Sequence, residues 1–557
     1  MKKLFIVLIA TLGVLAVGCT DKNDDTPQNP NEQPGEGNEE GGGNETPEPV
    51  EPIFQYNGKG EYLVAADGAV VVVKLTTNIE YEISIPAEAA HWIGYKREVL
   101  SQNNETLRFT ITKNTAYTQR SAIVTLKTAE QEVLQSIKFV QEAAEDPNVI
   151  KFADATVKEI CLSLCDTNKD GNLTYDEAAT LTDLGDKFKG SDITSFDELK
   201  HFVGITSIAD STFEGCQKLT TLSIPEGVTV IGNKALCNCV SLKNVLLPAT
   251  LTAIGDEAFY GCANIAELTI RENITTFGNR VFTGCGGSLV LNSNTPDASY
   301  SYGVFFGSSF TKITIGNGVT AIGSSTFEGS KYLTTVTMAE SVTTLGKYAF
   351  RDCTALANLS LSDKLATIET ACFEGCTTLA EVVVPEGITT LAANTFKNCR
   401  ALTTVTLPES LTTIDEGTFD GCISIKTISI PKKVTSIGDY ALRDCSALTT
   451  LTIQEGLTQI GAYTFSKCVS LKRVDLPKSL KSIGERGFHG CEGLESLYCK
   501  PTTPPTLGDK ALQYYDNRSL VIKNIGCKIY VPTSSVSTYK SNSGWKTYAN
   551  DITGYSF

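Results

Sequence analysis

The sequence predicts a mainly β protein whose larger part is a solenoid of stacked coils, preceded by a small β-sandwich and a short helical segment. Three observations carry that expectation. Cysteine recurs every 23 residues, at Cys216, Cys239, Cys262 and Cys285 and again from Cys353 through Cys376, Cys399, Cys422, Cys445 and Cys468 to Cys491. Within each period a few apolar residues alternate with polar ones, the period-2 mark of a strand. Upstream of the repeats, residues 53–144 hold short strand-like runs of the kind a sandwich needs. A fixed period in this range means one short supersecondary unit repeated, and such a unit buries its apolar face only against its neighbours.

One period shows how the coil closes. After Cys376 come Leu379, Val382, Val384, Pro385, Ile388, Leu391 and Phe396, and then Cys399. Val382 and Val384 point the same way on a strand, and Pro385 ends it because proline cannot donate to a ladder. Ile388 opens a second short extended run, and a Gly-Cys or similar pair turns the chain back. Ser308 and Ser330 fill the gap after Cys285, so one unit has 22 residues instead of 23. Stacked cysteines lie near enough for disulfides. An odd run of seven, and serine at two rungs, favour free buried thiols that act as small hydrophobes.

The pattern Leu-x-x-Leu-x-Ile-Pro-x-x-Val-x-x-Ile-x-x-x-Ala-Phe-x-x-Cys resembles the BspA-like leucine-rich repeat of bacterial surface proteins. The likeness runs from about residue 205 to the end, with repeats over 205–498 and a closing repeat or cap over 499–557. It takes in Gly286–Asn292, Ile529–Pro532, Tyr539 and Gly544-Trp545. It implies an adhesin or binding protein with its strands on a concave side.

Lys2 and Lys3 precede an apolar run, Leu4 to Val17, of signal-peptide length and too short to span a bilayer stably. Residues 1–18 therefore read as a leader. Leu15-Ala16-Val17-Gly18-Cys19 resembles a bacterial lipobox, with Ala16 where leucine is usual, which makes Cys19 the lipidated residue. Asp21, Asp24 and Asp25 resemble the surface-export signal of Bacteroidetes lipoproteins. The implied place is the outer membrane, exposed at the cell surface. Residues 20–52 hold ten acids and one lysine, and so carry −9 of the formal −16. With almost no apolar side chains, the 19–52 segment is expected to be a disordered linker. The remaining chain is mildly acidic, which argues against nucleic acid as a partner.

In residues 53–144 the strand-like runs are Val70–Leu75, Tyr81–Ile85, Leu107–Ile111 and Ala122–Leu126. Trp92-Ile93, Asn114, Arg120 and Ile137–Gln141 resemble a BACON domain, whose name implies carbohydrate binding. Trp92 is expected in the core and the domain chiefly as a spacer. Residues 148–204 contain a sharper motif. Asp166, Asn168, Asp170, Gly171, Asn172, Thr174 and Glu177 fall at positions 1, 3, 5, 6, 7, 9 and 12 of an EF-hand loop. Calcium takes six to eight oxygens and the glycine permits the sharp turn, so Asp166, Asn168, Asp170, Asn172, Thr174 and Glu177 are the expected ligands of a structural Ca2+. Val157, Ile160, Cys161 and Leu164 mark one face of an entering helix, and Glu177 to Leu184 are expected to form the exiting one.

Catalysis finds no support. His91, His201 and His489 are scattered, and no nucleophile elbow, Walker loop or zincin helix is present. Threonine recurs at Thr229, Thr252, Thr275, Thr320, Thr343, Thr389, Thr412, Thr435 and Thr458, as suits an exposed strand. Tyr300, Tyr302, Phe305 and Phe306 break the period and are the candidate ligand contacts. The expected protein is a monomeric surface binder of host matrix protein or glycan; the alternatives are a glycan-capture lipoprotein and a structural spacer.

Overall fold

The computed structural model describes residues 50–297, 302–516 and 521–557, and is mainly β. It divides into two compact units, one ending at Glu145 and one covering Asp146–Phe557.

The first unit is two four-stranded sheets. One has the order β1 (Phe54–Asn57), β3 (Ala69–Thr77), β6 (Asn104–Ile111), β5 (Ile93–Ser101), all antiparallel. The other runs β2 (Glu61–Val64), β8 (Val133–Gln141), β7 (Arg120–Lys127), β4 (Glu82–Ser84), with only the β2–β8 pair parallel. Alternate residues of β3, β6, β7 and β8 point inward. Val73, Leu107, Phe109, Val124, Leu126, Ile137 and Phe139 are fully buried in one cluster.

The residues singled out in this domain hold it together. Trp92 is buried, with the Arg120 guanidinium 4.5 Å over its ring. Arg120 Nε donates to Gln141 Oε1 at 2.9 Å, and Gln141 Nε2 donates to the carbonyls of Ala65, Ala66 and Thr112. Asn114 Nδ2 donates to the carbonyls of Thr118 and Glu142. Buried polar groups must be paired, and here they pair with loop backbone that has no ladder partner.

The second unit opens with α1 (Ala155–Cys165), capped by Asp154. One oxygen of Asp154 accepts from the N–H groups of Thr156 and Val157, and the other from Thr194 N and Oγ1, both at 2.7 Å. The cap residue thus ties the helix to the first coil. α2 (Tyr175–Thr180) is shorter than expected. It stops at Thr180, and Leu181 is already extended. Leu184 is buried beyond the helix end, in a loop that packs inward.

From there the chain coils. Each coil contributes a strand of three or four residues and a second of two. In the regular coils both pair in parallel with the next coil at a 23-residue offset: Thr427↔Thr450 and Ile428↔Leu451 in the first ladder, Ile414↔Ile437 in the second, which is broken between Thr276–Phe277 and Ala321–Ile322. The proline ending the first strand turns the chain, as where Ile388 N donates to the Pro385 carbonyl at 3.0 Å. The residue before each rung cysteine is left-handed, for example Asn398 (φ 59), Gly421 (φ 74) and Asp444 (φ 60), which explains the Gly-Cys pairs. The irregular region does not interrupt the ladder. Gly286–Leu291 is a six-residue strand between Glu267–Ile270 and Ser309–Ile315, and the register shift lies between Gly287 and Ser288.

Two columns fill the interior. Phe259, Phe282, Phe305, Phe327, Phe350, Phe373, Phe396 and Phe419 form one continuous stack of rings, with consecutive centroids 5.0–5.7 Å apart. Beside it run the thiols. Cys376, Cys399 and Cys422 each lie 3.0–3.3 Å from the carbonyl of the ring residue 26 positions earlier, and donate to it. All seventeen cysteines among the described residues are free and buried. Where serine replaces cysteine, Ser330 donates to the Phe305 carbonyl at 3.3 Å. Burial pushes the thiols up, Cys216 to about 11 and Cys491 to about 12. At the far end Lys528–Pro532 pairs with Ser496–Cys499 and with Ile552–Tyr555. There Trp545 Nε1 donates to the Pro505 carbonyl and Tyr539 OH to that of Pro501.

Phe373 sits in the middle of the ring column. Phe373→Ala should lower unfolding free energy by about 3–5 kcal/mol. Phe373→Leu should cost clearly less, because Leu236 and Leu442 already fill the same place in other coils. Denaturant midpoints measure both; equal losses would contradict the stacked column.

Candidate functional site

The loop between α1 and α2 is wound about its own acidic groups. Asp166 accepts from Lys169 N at 2.7 Å and Gly171 N at 3.1 Å, Asn168 from Asp170 N at 2.8 Å, and Asp170 from Asn172 N at 2.7 Å. Gly171 has φ 79, with open space around it. Thr174 caps α2 in a capping box with Glu177. Both Glu177 oxygens are engaged, Oε1 by Thr167 N and Oγ1, Oε2 by Thr174 N and Oγ1, at 2.8–3.1 Å. Residues 148–150 lie alongside, with Ile150 N donating to the Leu173 carbonyl and Val149 bridging Thr174.

Asn168, Asp170 and Asn172 are bonded to one another in series, Asp166 accepts from the Lys169 and Gly171 N–H groups, and Thr174 pairs with Glu177 in the capping box. Among the described residues no three His, Cys, Asp or Glu side chains converge closely enough to hold a metal.

The aromatic segment is placed differently from expectation. Phe305 is fully buried as a rung of the ring column, stacked between Phe282 and Phe327, and no ligand reaches it. The correction has a simple cause: Phe305 precedes Ser308 by three, just as Phe350 precedes Cys353. Tyr302 is 42% exposed, but its face is covered by the Arg280 guanidinium at 4.4 Å, and Phe306 meets it edge-on at 4.8 Å. Tyr300 and Cys19 lie outside the described residues.

The threonine series also has an internal task. Thr252 Oγ1 donates to the Thr229 carbonyl at 3.2 Å, Thr412 to Thr389 at 2.9 Å and Thr458 to Thr435 at 3.0 Å. Their hydroxyls bond the coils to each other before they bond anything outside.

The broad surface left free is the outer side of the longer strands. Thr404 and Thr406, Thr427 and Ser429, Thr450 and Thr452 stand there in register, small, polar and exposed. Leu246 and Val383 interrupt them at 73% and 66% exposure. At the C-terminal end the face closes: Tyr498 has Arg473 at 3.9 Å over its ring and stacks on Tyr530 at 4.5 Å.

The sequence profile of the BspA type leucine-rich repeat region matches residues 186–295, 299–426 and 412–530, in six copies, which is more than half of the protein. The chain belongs to the BspA type leucine-rich repeat family. No curated protein matches it. Among solved structures, a leucine-rich repeat protein from Bacteroides ovatus is similar over 84% of this chain and 98% of its own, at 19% identity and a TM-score of 0.50, a likeness of fold. A leucine-rich cell surface protein from Faecalibacterium prausnitzii matches over 57% of this chain and 84% of its own, at 23% identity and a TM-score of 0.30. The pneumococcal vaccine antigen PcpA matches over 63% and 85%, at 18% and 0.30. Among the described residues of this BspA-type protein, no helix is long and apolar enough to cross a membrane.

Glu177 offers a direct check of the loop. The hydrogen bonds from Thr174, backbone first, and then from Thr167 hold its carboxyl down at about 2, below the ordinary 4.5. A depressed carboxyl contributes stability that is full above the unfolded value and lost as pH falls through the folded one. Without added metal, the melting temperature should drop as pH is lowered from about 5 to about 2. Glu177→Gln should flatten that drop, and an unchanged slope would contradict the bonding.

Proposed function

We propose that this protein is a noncatalytic, adhesin-like binding protein held at the cell surface, and that the outer side of its longer strands meets a host matrix protein. The observation that carries this reading is the face itself: three successive coils of small, polar, exposed residues from Thr404 to Thr452, with Leu246 and Val383 as exposed apolar anchors on the same side of other coils. Solenoids present such continuous faces to extended partners. Protein contacts concentrate their energy in a few apolar anchors within a polar surround.

The rest of the chain fits that task. Lipid on Cys19 would anchor it in the outer membrane, and residues 20–52 would serve as the tether. The BACON-like domain is a spacer whose Trp92 is spent in the core. Calcium at Asp166, Asn168, Asp170, Asn172, Thr174 and Glu177 would brace the capping end of the solenoid. The protein works as a monomer.

The full chain should bind at least one immobilised matrix protein, and Leu246→Glu with Val383→Glu should weaken that binding at least about tenfold without lowering the melting temperature. Binding that survives both changes would place the partner elsewhere. Calcium should raise the melting temperature against chelator and Glu177→Ala should remove the rise; a rise that persists in the variant would refute the ligand set. Cys19→Ala should leave the membrane fraction, and retention at the original level would refute the anchor.

A further inference from the structure

On the turn side of the solenoid, the position two before the rung alternates in charge over six successive coils. Glu328, Arg351, Glu374, Lys397, Asp420 and Arg443 follow one another at 23-residue intervals. They pair across coils. Arg351 meets Glu328, Lys397 Nζ lies 3.5 Å from Glu374, and Arg443 grips Asp420 with both forks, at 2.8 and 2.6 Å. Then the pattern stops. Ser466 stands where a carboxylate would follow Arg443, and His489 comes next.

Serine is too short to occupy the room a charged side chain takes. A cleft of about 460 Å³ opens there, within the range of small-molecule sites. Four cations line it, Arg443, Lys467, Arg486 and Lys510, against one carboxylate, Asp444. Asp420 already pairs with Arg443, so the four cations are matched by four carboxylates at or beside the cleft. Carboxylates hold the cations in place: Asp444 lies 3.5 Å from Lys467, Glu485 3.3 Å from Arg486 and Asp509 2.9 Å from Lys510.

Two further features narrow the ligand. His489 Nδ1 is buried and has no hydrogen-bond partner. Burial, and then Arg486, Lys467 and Lys510, push the His489 pKa down, with the Gln513 backbone opposing, so the ring stays neutral and can accept a hydrogen bond. Tyr515, 47% exposed, adds an aromatic wall beside the cations.

We propose that this cleft binds an acidic sugar residue, its carboxylate set against the cations and one of its hydroxyls donating to His489 Nδ1. An acidic peptide side chain would supply the carboxylate but no hydroxyl. A neutral sugar would supply the hydroxyl but leave the cations unread. The pyranose C–H face suits the exposed ring of Tyr515. This site lies on the turns, away from the strand face assigned to a protein partner, so either assignment can fail alone.

The test is calorimetric titration of the full chain with a galacturonate trimer, a galactose trimer and a glutamate trimer. The galacturonate trimer should bind and the other two should bind at least about tenfold more weakly. Ser466→Glu restores the alternation, as Glu374 does two pairs earlier, and should abolish binding while leaving the melting temperature unchanged or higher. Lys467→Glu with Lys510→Glu should also abolish it, and His489→Phe should weaken it several-fold. Absence of galacturonate binding, undiminished binding in Ser466→Glu, or equal binding of the galactose or the glutamate trimer would overturn the proposal.

Discussion

Everything in the larger unit depends on one constraint: a coil of 23 residues cannot bury its own apolar face, so every coil must lie in register on the next. The interior shows how that register is enforced. Ring lies on ring from Phe259 to Phe419, and each thiol reaches a backbone carbonyl one coil back. A shift of one residue would turn the rings outward and strand the carbonyls. Aromatic stacking contributes about 0.5–1.5 kcal/mol per pair beyond area burial, and the repetition makes the sum large. The 22-residue unit is accommodated because Ser308 and Ser330 bond each other at 2.9 Å and the adjacent strand absorbs the shift near Gly287.

A register fixed from inside leaves the outside free to vary. The outer positions of the strands lie off the interior column, so they can carry recognition. Even so, part of the exterior still serves assembly. The threonine hydroxyls bond to neighbouring carbonyls, and the charges from Glu328 to Arg443 pair across coils. In the Arg351–Glu328 and Arg443–Asp420 pairs the carboxylate is buried and the guanidinium only partly exposed, so these pairs are screened less than surface ones. Recognition is therefore best sought where these self-satisfied ladders stop, as at Leu246 and Val383 on the strands and at Ser466 on the turns.

The coil was legible because its chemistry repeats. Cysteine spacing gave the period, proline the strand end, and Val382 and Val384 the inward face, all of which the structure keeps. Phe305 stands among Tyr300, Tyr302 and Phe306, and that cluster masks the period that places it three before a rung, in the ring column. The end of α2 was not legible, because Leu181 and Leu184 have the spacing of a helix face yet pack from a loop. The strand Ile93–Ser101 was missed because most of it is exposed and mixes charges with apolar residues. The cleft at Ser466 could have been found from the sequence by following the alternation of charge from Glu328 and noticing where it fails.

The interior column of free, hydrogen-bonded thiols is the claim on which the account rests, and thiol counting tests it most directly. In the full chain with Cys19→Ala, all other 17 cysteines should titrate in denaturant without reductant, and almost none while the protein is folded. Burial that pushes Cys216 to about 11 accounts for the silence of the folded state. A count in denaturant far below 17 would mean that rungs are joined by disulfides, and would contradict the column as described.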